Sequence, residues 1–189
     1  MRILVVTVVH HPEDARILHR QIAALAERGH RIVYAAPFGA RGVVPRPGVE
    51  GVDLPRAAGR DRRAALRAAR ALLAERGPEA DVVLLHDPEL LLALPGTLRR
   101  WRRGGRAPVT VWDVHEDTAA ALTMKRWVPA TLRPPLKLAV RAAERLAERH
   151  VRLLLAEDAY RERRRPGGAR QLHAHRGAGE RRGLRPAVD

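Results

Sequence analysis

Apolar runs of strand length alternate with amphipathic stretches through the first 160 residues, and this pattern most constrains the fold. Ile3–Val9 is a continuous β-branched run, as expected of a strand buried on both faces of a parallel sheet. From Asp14 to Arg28, Ile17, Leu18, Ile22 and Leu25 recur at helical spacing, and Gly29 supplies a C-terminal stop. A second strand is expected over Arg31–Ala36. Residues 37–50 hold three prolines and three glycines and read as a loop, with a short third strand at Val52–Leu54. Asp61–Arg76 reads as a helix with Leu66, Ala69 and Leu73 inward and Arg62, Arg63, Arg67 and Arg70 outward, stopped by Gly77-Pro78.

A fourth strand is expected over Ala80–Leu85. Helix follows from Leu90 to Arg103, with an interruption at Pro95-Gly96. Val109–Trp112 reads as a fifth strand, Leu136–His150 as an amphipathic helix and Val151–Leu155 as a last strand. Repeated strand-then-helix order predicts an α/β fold: a doubly wound, mainly parallel Rossmann-like sheet with helices on both faces.

The pattern fails beyond about Tyr160, which divides the chain into a domain over 1–160 and a tail over 161–189. The formal charge is +15, and Arg161–Asp189 carries nine arginines against three acids. Only Lys125 and Lys137 are lysines, so arginine makes up almost the whole basic complement. The tail has the composition of a disordered segment. The apolar runs fall far short of the ~20 residues of a membrane-spanning helix. Met1–Val9 is followed by His10-His11-Pro12-Glu13-Asp14 rather than a small-residue cleavage site, so it reads as a strand and not a signal peptide. The chain has no cysteine, which excludes disulfides and thiolate chemistry and fits a cytoplasmic location.

Ligands of open parallel sheets sit beyond the carboxyl ends of the strands, and three of these ends are polar. The first strand leads to His10, His11, Asp14 and Arg16, the fourth to His86 and Asp87, and the fifth to Asp113, His115 and Glu116. Three acid-and-histidine clusters on one edge predict a polar ligand site. Each also has a plainer reading. Asp14 would cap the first helix, Asp87 would cap the turn at Pro88, and Asp113 would anchor the next loop. Arg16 would pair with Asp14 or Glu13, or contact an anionic group. His115, beside Glu116 and Asp113, is expected to keep a basic imidazole suited to accepting a proton. His10 and His11 face either the site or solvent, and His19 and His30 are expected at the surface.

No zinc-type spacing occurs before the tail, where His173-Ala174-His175 stands alone. No metal site is therefore expected. The first strand–helix turn lacks G-x-G-x-x-G, and no Walker A sequence is present, so neither an ordinary dinucleotide site nor a P-loop is expected.

Taken together, His11-Pro12-Glu13-Asp14-Ala15-Arg16-Ile17, His86-Asp87-Pro88-Glu89-Leu90-Leu91 and Trp112-Asp113-Val114-His115-Glu116-Asp117 resemble the N-terminal half of a bacterial glycosyltransferase of the GT-B fold, family 4. The resemblance covers about residues 1–160. It implies a retaining, metal-independent transfer of a sugar from a nucleotide-sugar donor to an acceptor hydroxyl in cell-surface glycan or glycolipid synthesis. No cofactor is implied. His10, His11, Asp14 and Arg16 would line the cleft, and His86 and Asp87 would flank the acceptor pocket. His115 would approach the transferred sugar, with Asp113 and Glu116 orienting it.

The family's C-terminal donor domain, with its E-x7-E motif, has no counterpart in this sequence. A truncated or frame-shifted product, inactive alone, is one expectation. A split enzyme, with this chain as the acceptor-binding subunit of a separate donor-domain chain, is another. Lipid-linked acceptors in the family fit peripheral contact with an anionic inner membrane face. Leu98–Arg103 and Arg126–Pro129, each a tryptophan among cations, would make that contact, against the plainer reading of a solvated helix end with a half-buried tryptophan. A basic nucleic-acid-binding protein is the alternative from another class. Six aromatics, no binding motif and arginines interleaved with acids weigh against it.

Overall fold

A computed structural model describes residues 1–114, 151–155 and 171–172. The strands are β1 (Arg2–Val6), β2 (Arg31–Ala36), β3 (Glu50–Asp53), β4 (Val82–Leu85), β5 (Val109–Val114), β6 (Arg152–Leu155) and the two-residue β7 (Gln171–Leu172). They form one sheet in the order β3-β2-β1-β4-β5-β6-β7. Every neighbouring pair is parallel. The order reverses between β1 and β4, the switch point where doubly wound sheets open a crevice.

The two-residue period of a strand explains the unbroken apolar runs. Leu4 and Val6 pack into one core with Ala69, Leu73, Leu94 and Trp101 of α3 (Arg62–Arg76) and α4 (Leu94–Arg103). Ile3 and Val5 pack into a second core with Ile17, Leu18 and Ile22 on the opposite face. Both faces are covered, so polar alternation is absent from the central strands.

The elements depart from expectation in informative ways. The helix after β1 is π-helical over Ala15–Ile22 and continues as α1 (Ala23–Glu27). Spacing arguments do not distinguish the wider helix, since Ile17, Leu18 and Ile22 face inward in either form. Gly29 does supply the left-handed residue after the helix, with φ 74°. The loop at 37–50 contains a short α2 (Phe38–Arg41), closed by left-handed Gly42. The third strand begins two residues before Val52. On α3 the residues fully buried are Ala65, Ala69, Leu72 and Leu73, whereas Leu66 is half-buried. The segment after β4 is a 3-10 turn over Pro88–Ala93 that becomes α4, with Pro95 in the first turn where its missing N–H costs nothing. The fifth strand runs two residues beyond Trp112. The helix expected over 136–150 and the boundary near 160 lie outside the described residues.

Trp101, expected as part of a basic surface patch, is instead 1% exposed. Its Nε1–H donates to the Leu73 carbonyl at 3.2 Å. The segment 98–103 therefore presents arginines but no aromatic ring to its surroundings. No helix among the described residues is long and apolar enough to cross a membrane.

Candidate functional site at the ends of β1, β4 and β5

Asp87, just beyond β4, ties the end of β4 to the loop after β1. Its carboxylate accepts the Thr7 hydroxyl at 3.0 Å, the Val9 N–H at 3.2 Å and, at still shorter range, the Val8 N–H. Thr7 Oγ1 in turn accepts the His10 N–H at 3.1 Å, and His10 Nε2 lies 3.4 Å from Asp87 Oδ1. Asp87 makes no capping bond to the turn at Pro88, which corrects that reading. Its side chain points across the sheet because the backbone leaving β1 exposes several N–H groups that no neighbouring strand satisfies. Burial pushes the Asp87 carboxyl above its ordinary value, while the Val8 N–H, His10 and Thr7 pull it back.

Asp113, near the end of β5, is a second hub and is fully buried. The guanidinium of Arg16 grips both its oxygens, with Nε donating at 3.0 Å and Nη2 closer still. Gln21 Nε2 donates to Asp113 Oδ2 at 2.7 Å, and His86 Nδ1 lies 3.3 Å from the same oxygen. Arg16 therefore pairs with neither Asp14 nor Glu13, and Asp113 anchors the helix after β1; the loop that follows β5 lies outside the described residues. A bidentate guanidinium and an amide suit a buried carboxylate, whose desolvation demands several donors.

Asp14 caps the π-helix, accepting the Arg16 N–H at 2.9 Å and the Ile17 N–H at 3.1 Å. It is still half-exposed, with its second oxygen 3.9 Å from His10 Nδ1. The His11 ring nitrogen Nδ1 accepts the Glu13 N–H at 3.2 Å, which shapes the loop. The buried set is thus His86, Asp87 and Asp113, and the half-exposed set that could meet a ligand is His10, His11, Asp14 and Arg16. His19 is exposed and His30 half-exposed. His115 and Glu116 lie outside the described residues.

Three participants were not singled out from the sequence. Thr7, just past β1, interrupts the apolar run Ile3–Val9 as its one hydroxyl, and that interruption is a usable signal. Gln21 is an uncharged amide five residues from Arg16, a spacing that carries no message in an α-helix. The third is backbone: the Ala57 N–H donates to the Val8 carbonyl at 2.8 Å and brings the segment after β3 to the same edge.

The described edge offers hydroxyl-recognising groups, imidazoles and a carboxylate, on a rigid buried base. Such an arrangement orients a polyhydroxylated ligand or moves a proton at a hydroxyl. Among the described residues, no three His, Asp or Glu side chains come together to hold a metal ion. No protein-family model matches the chain, and no curated protein matches its sequence.

Proposed function

We propose that this chain is the acceptor-side, N-terminal half of a GT-B, family 4-like glycosyltransferase, working at the cytoplasmic side of a membrane. In this reading a sugar passes from a nucleotide-sugar to a hydroxyl of a saccharide or lipid-linked acceptor. The donor-binding half resides elsewhere, in a longer parent protein or on a separate chain. One observation carries the reading. Asp87 and Asp113 gather the three motifs, read separately in the sequence, at the carboxyl edge of a sheet of order 3-2-1-4-5-6-7.

In the proposed reaction, an acceptor hydroxyl binds against His10, His11 and Asp14 and attacks the anomeric carbon of the donor. The bond to the nucleoside diphosphate breaks, the diphosphate leaves with the electron pair, and its departing oxygen takes the proton of the attacking hydroxyl. Retention of configuration places attack and departure on one face of the sugar. Arg16 and His86 keep the Asp113 end of β5 fixed, and the family resemblance assigns His115 and Glu116, the next motif residues in the sequence, to the transferred sugar. Stabilising the diphosphate falls to the donor half.

The test is a saccharide and glycolipid array probed with the purified chain and with His10→Ala. Retention on a saccharide or lipid-linked saccharide, weakened at least tenfold by His10→Ala, is expected. Retention only on DNA, abolished by moderate salt, would replace this reading with nucleic-acid binding.

A further inference from the structure

Two donors from one helix meet one carboxylate: Arg16 and Gln21 both bond Asp113. They are five residues apart. On an α-helix of 3.6 residues per turn, such a pair lies about 140° apart around the axis. In the wider π-helix, hydrogen bonds join residues five apart, so those residues stack on one side. The first turn here is ordinary, with the Leu18 N–H donating to the Asp14 carbonyl at 2.8 Å. Farther along, the Ala23 N–H is shared between the Arg20 carbonyl, three residues back, and the Leu18 carbonyl, five residues back. The stretch spans Ala15–Ile22 and contains both donors.

Nothing in the local sequence demands this form. Ala15–Ile22 contains neither proline nor glycine, and its buried residues Ile17, Leu18 and Ile22 suit an α-helix equally. The wide turn also lacks the close packing along its axis that makes the α-helix the default. A buried carboxylate that would otherwise lose a donor can offset that loss.

We propose that Asp113 sets the register of the helix after β1, and that this helix is a two-register element coupling the end of β5 to the loop at residues 7–14. Relaxation to the α form removes one residue from the wide turn. The turns on either side then rotate by about one residue, roughly 100°. The N-terminal turn is fastened to the site through Asp14, whose carboxylate caps it, and through His10, which stands between Asp14 and Asp87. A change in the contacts of Asp113 therefore reaches the His10 ring without passing through the sheet. The coupling holds whether or not the edge takes a sugar.

Scalar couplings across hydrogen bonds, measured by NMR on the full 189-residue chain, test this directly. In the unmodified protein the Ala23 amide nitrogen couples to the Leu18 carbonyl carbon as well as to that of Arg20. In Asp113→Ala it is expected to couple to the His19 carbonyl carbon instead, and the His10 ring resonances move. Gln21→Ala, which leaves Arg16 and His86 on the carboxylate, guards against a variant that fails to fold. Its Ala23–Leu18 coupling is expected to fall at least twofold. An unchanged coupling in Gln21→Ala, or in folded Asp113→Ala, overturns the proposal. A register change that leaves the His10 ring resonances in place overturns the link to the loop.

Discussion

At Gly77 the backbone is ordinary, with φ −57°, so conformational freedom is not what the position needs. A Cβ there would sit 2.2 Å from Trp101 Cζ2 and 2.6 Å from Cε2. The missing side chain is the space into which the Trp101 ring packs at the end of α3. Gly77→Ala is expected to destabilise the protein by about 1–3 kcal/mol through overpacking, read from urea midpoints. In a Trp101→Phe background the same substitution should cost less, because the smaller ring vacates the clash. Asp87 carries a different consequence. Its folded value lies above the ordinary carboxyl value, so its contribution to stability is full below that ordinary value and is lost as pH rises through the folded one. Between the two, the unmodified protein should lose stability relative to Asp87→Asn by up to about 1.4 kcal/mol per pH unit. Urea midpoints of both proteins across pH 3 to 8 check this. A difference that stays level, or that changes the other way, would show that the hydrogen bonds from Thr7, Val8 and Val9 outweigh burial.

The helix after β1 is fastened to β5 by side chains and to the sheet by Ile17, Leu18 and Ile22. Asp113 is completely buried and Arg16 is 29% exposed, so the pair behaves as a partly buried one. Arg16→Met removes the guanidinium from a carboxylate in the interior, leaving Gln21 and His86 against it, and is expected to cost about 3 kcal/mol. A double-mutant cycle with Asp113→Asn should give a coupling of about 2 kcal/mol or more. A coupling below about 0.5 kcal/mol would place the pair with ordinary exposed ones. Most elements were legible in the sequence because burial on both faces writes itself as continuous apolar runs. Arg31–Ala36 is the clearest case, a strand over the residues expected. The π-helix was not legible, because its cause lies 92 to 97 residues away in Asp113. The short α2 was hidden by its prolines and glycines, which signal a loop but not the single helical turn inside it.

Across the whole molecule, the sheet order brings polar residues from β1, β4 and β5 to one edge, while the arginines of α3 and α4 lie on helices of one covering layer. The sequence showed which strand ends are polar. It did not show which of their side chains are spent on holding the others. In the sequence His86 reads as a ligand contact and Asp87 and Asp113 as either ligand contacts or local caps and anchors, and the buried network makes all three the base on which His10, His11, Asp14 and Arg16 stand. Only packing separates those roles, since an aspartate at a strand end looks the same whether it faces a backbone N–H or a substrate. The central claim is that this edge, and not the arginine-rich helices, is where the acceptor binds. It is tested most directly by amide chemical-shift mapping of the chain during titration with a saccharide retained on the array. The account predicts shifts concentrated at residues 7–16 and 86–89, absent in His10→Ala. Shifts confined to α3 and α4, or a saccharide that moves no amide at the edge, would contradict it.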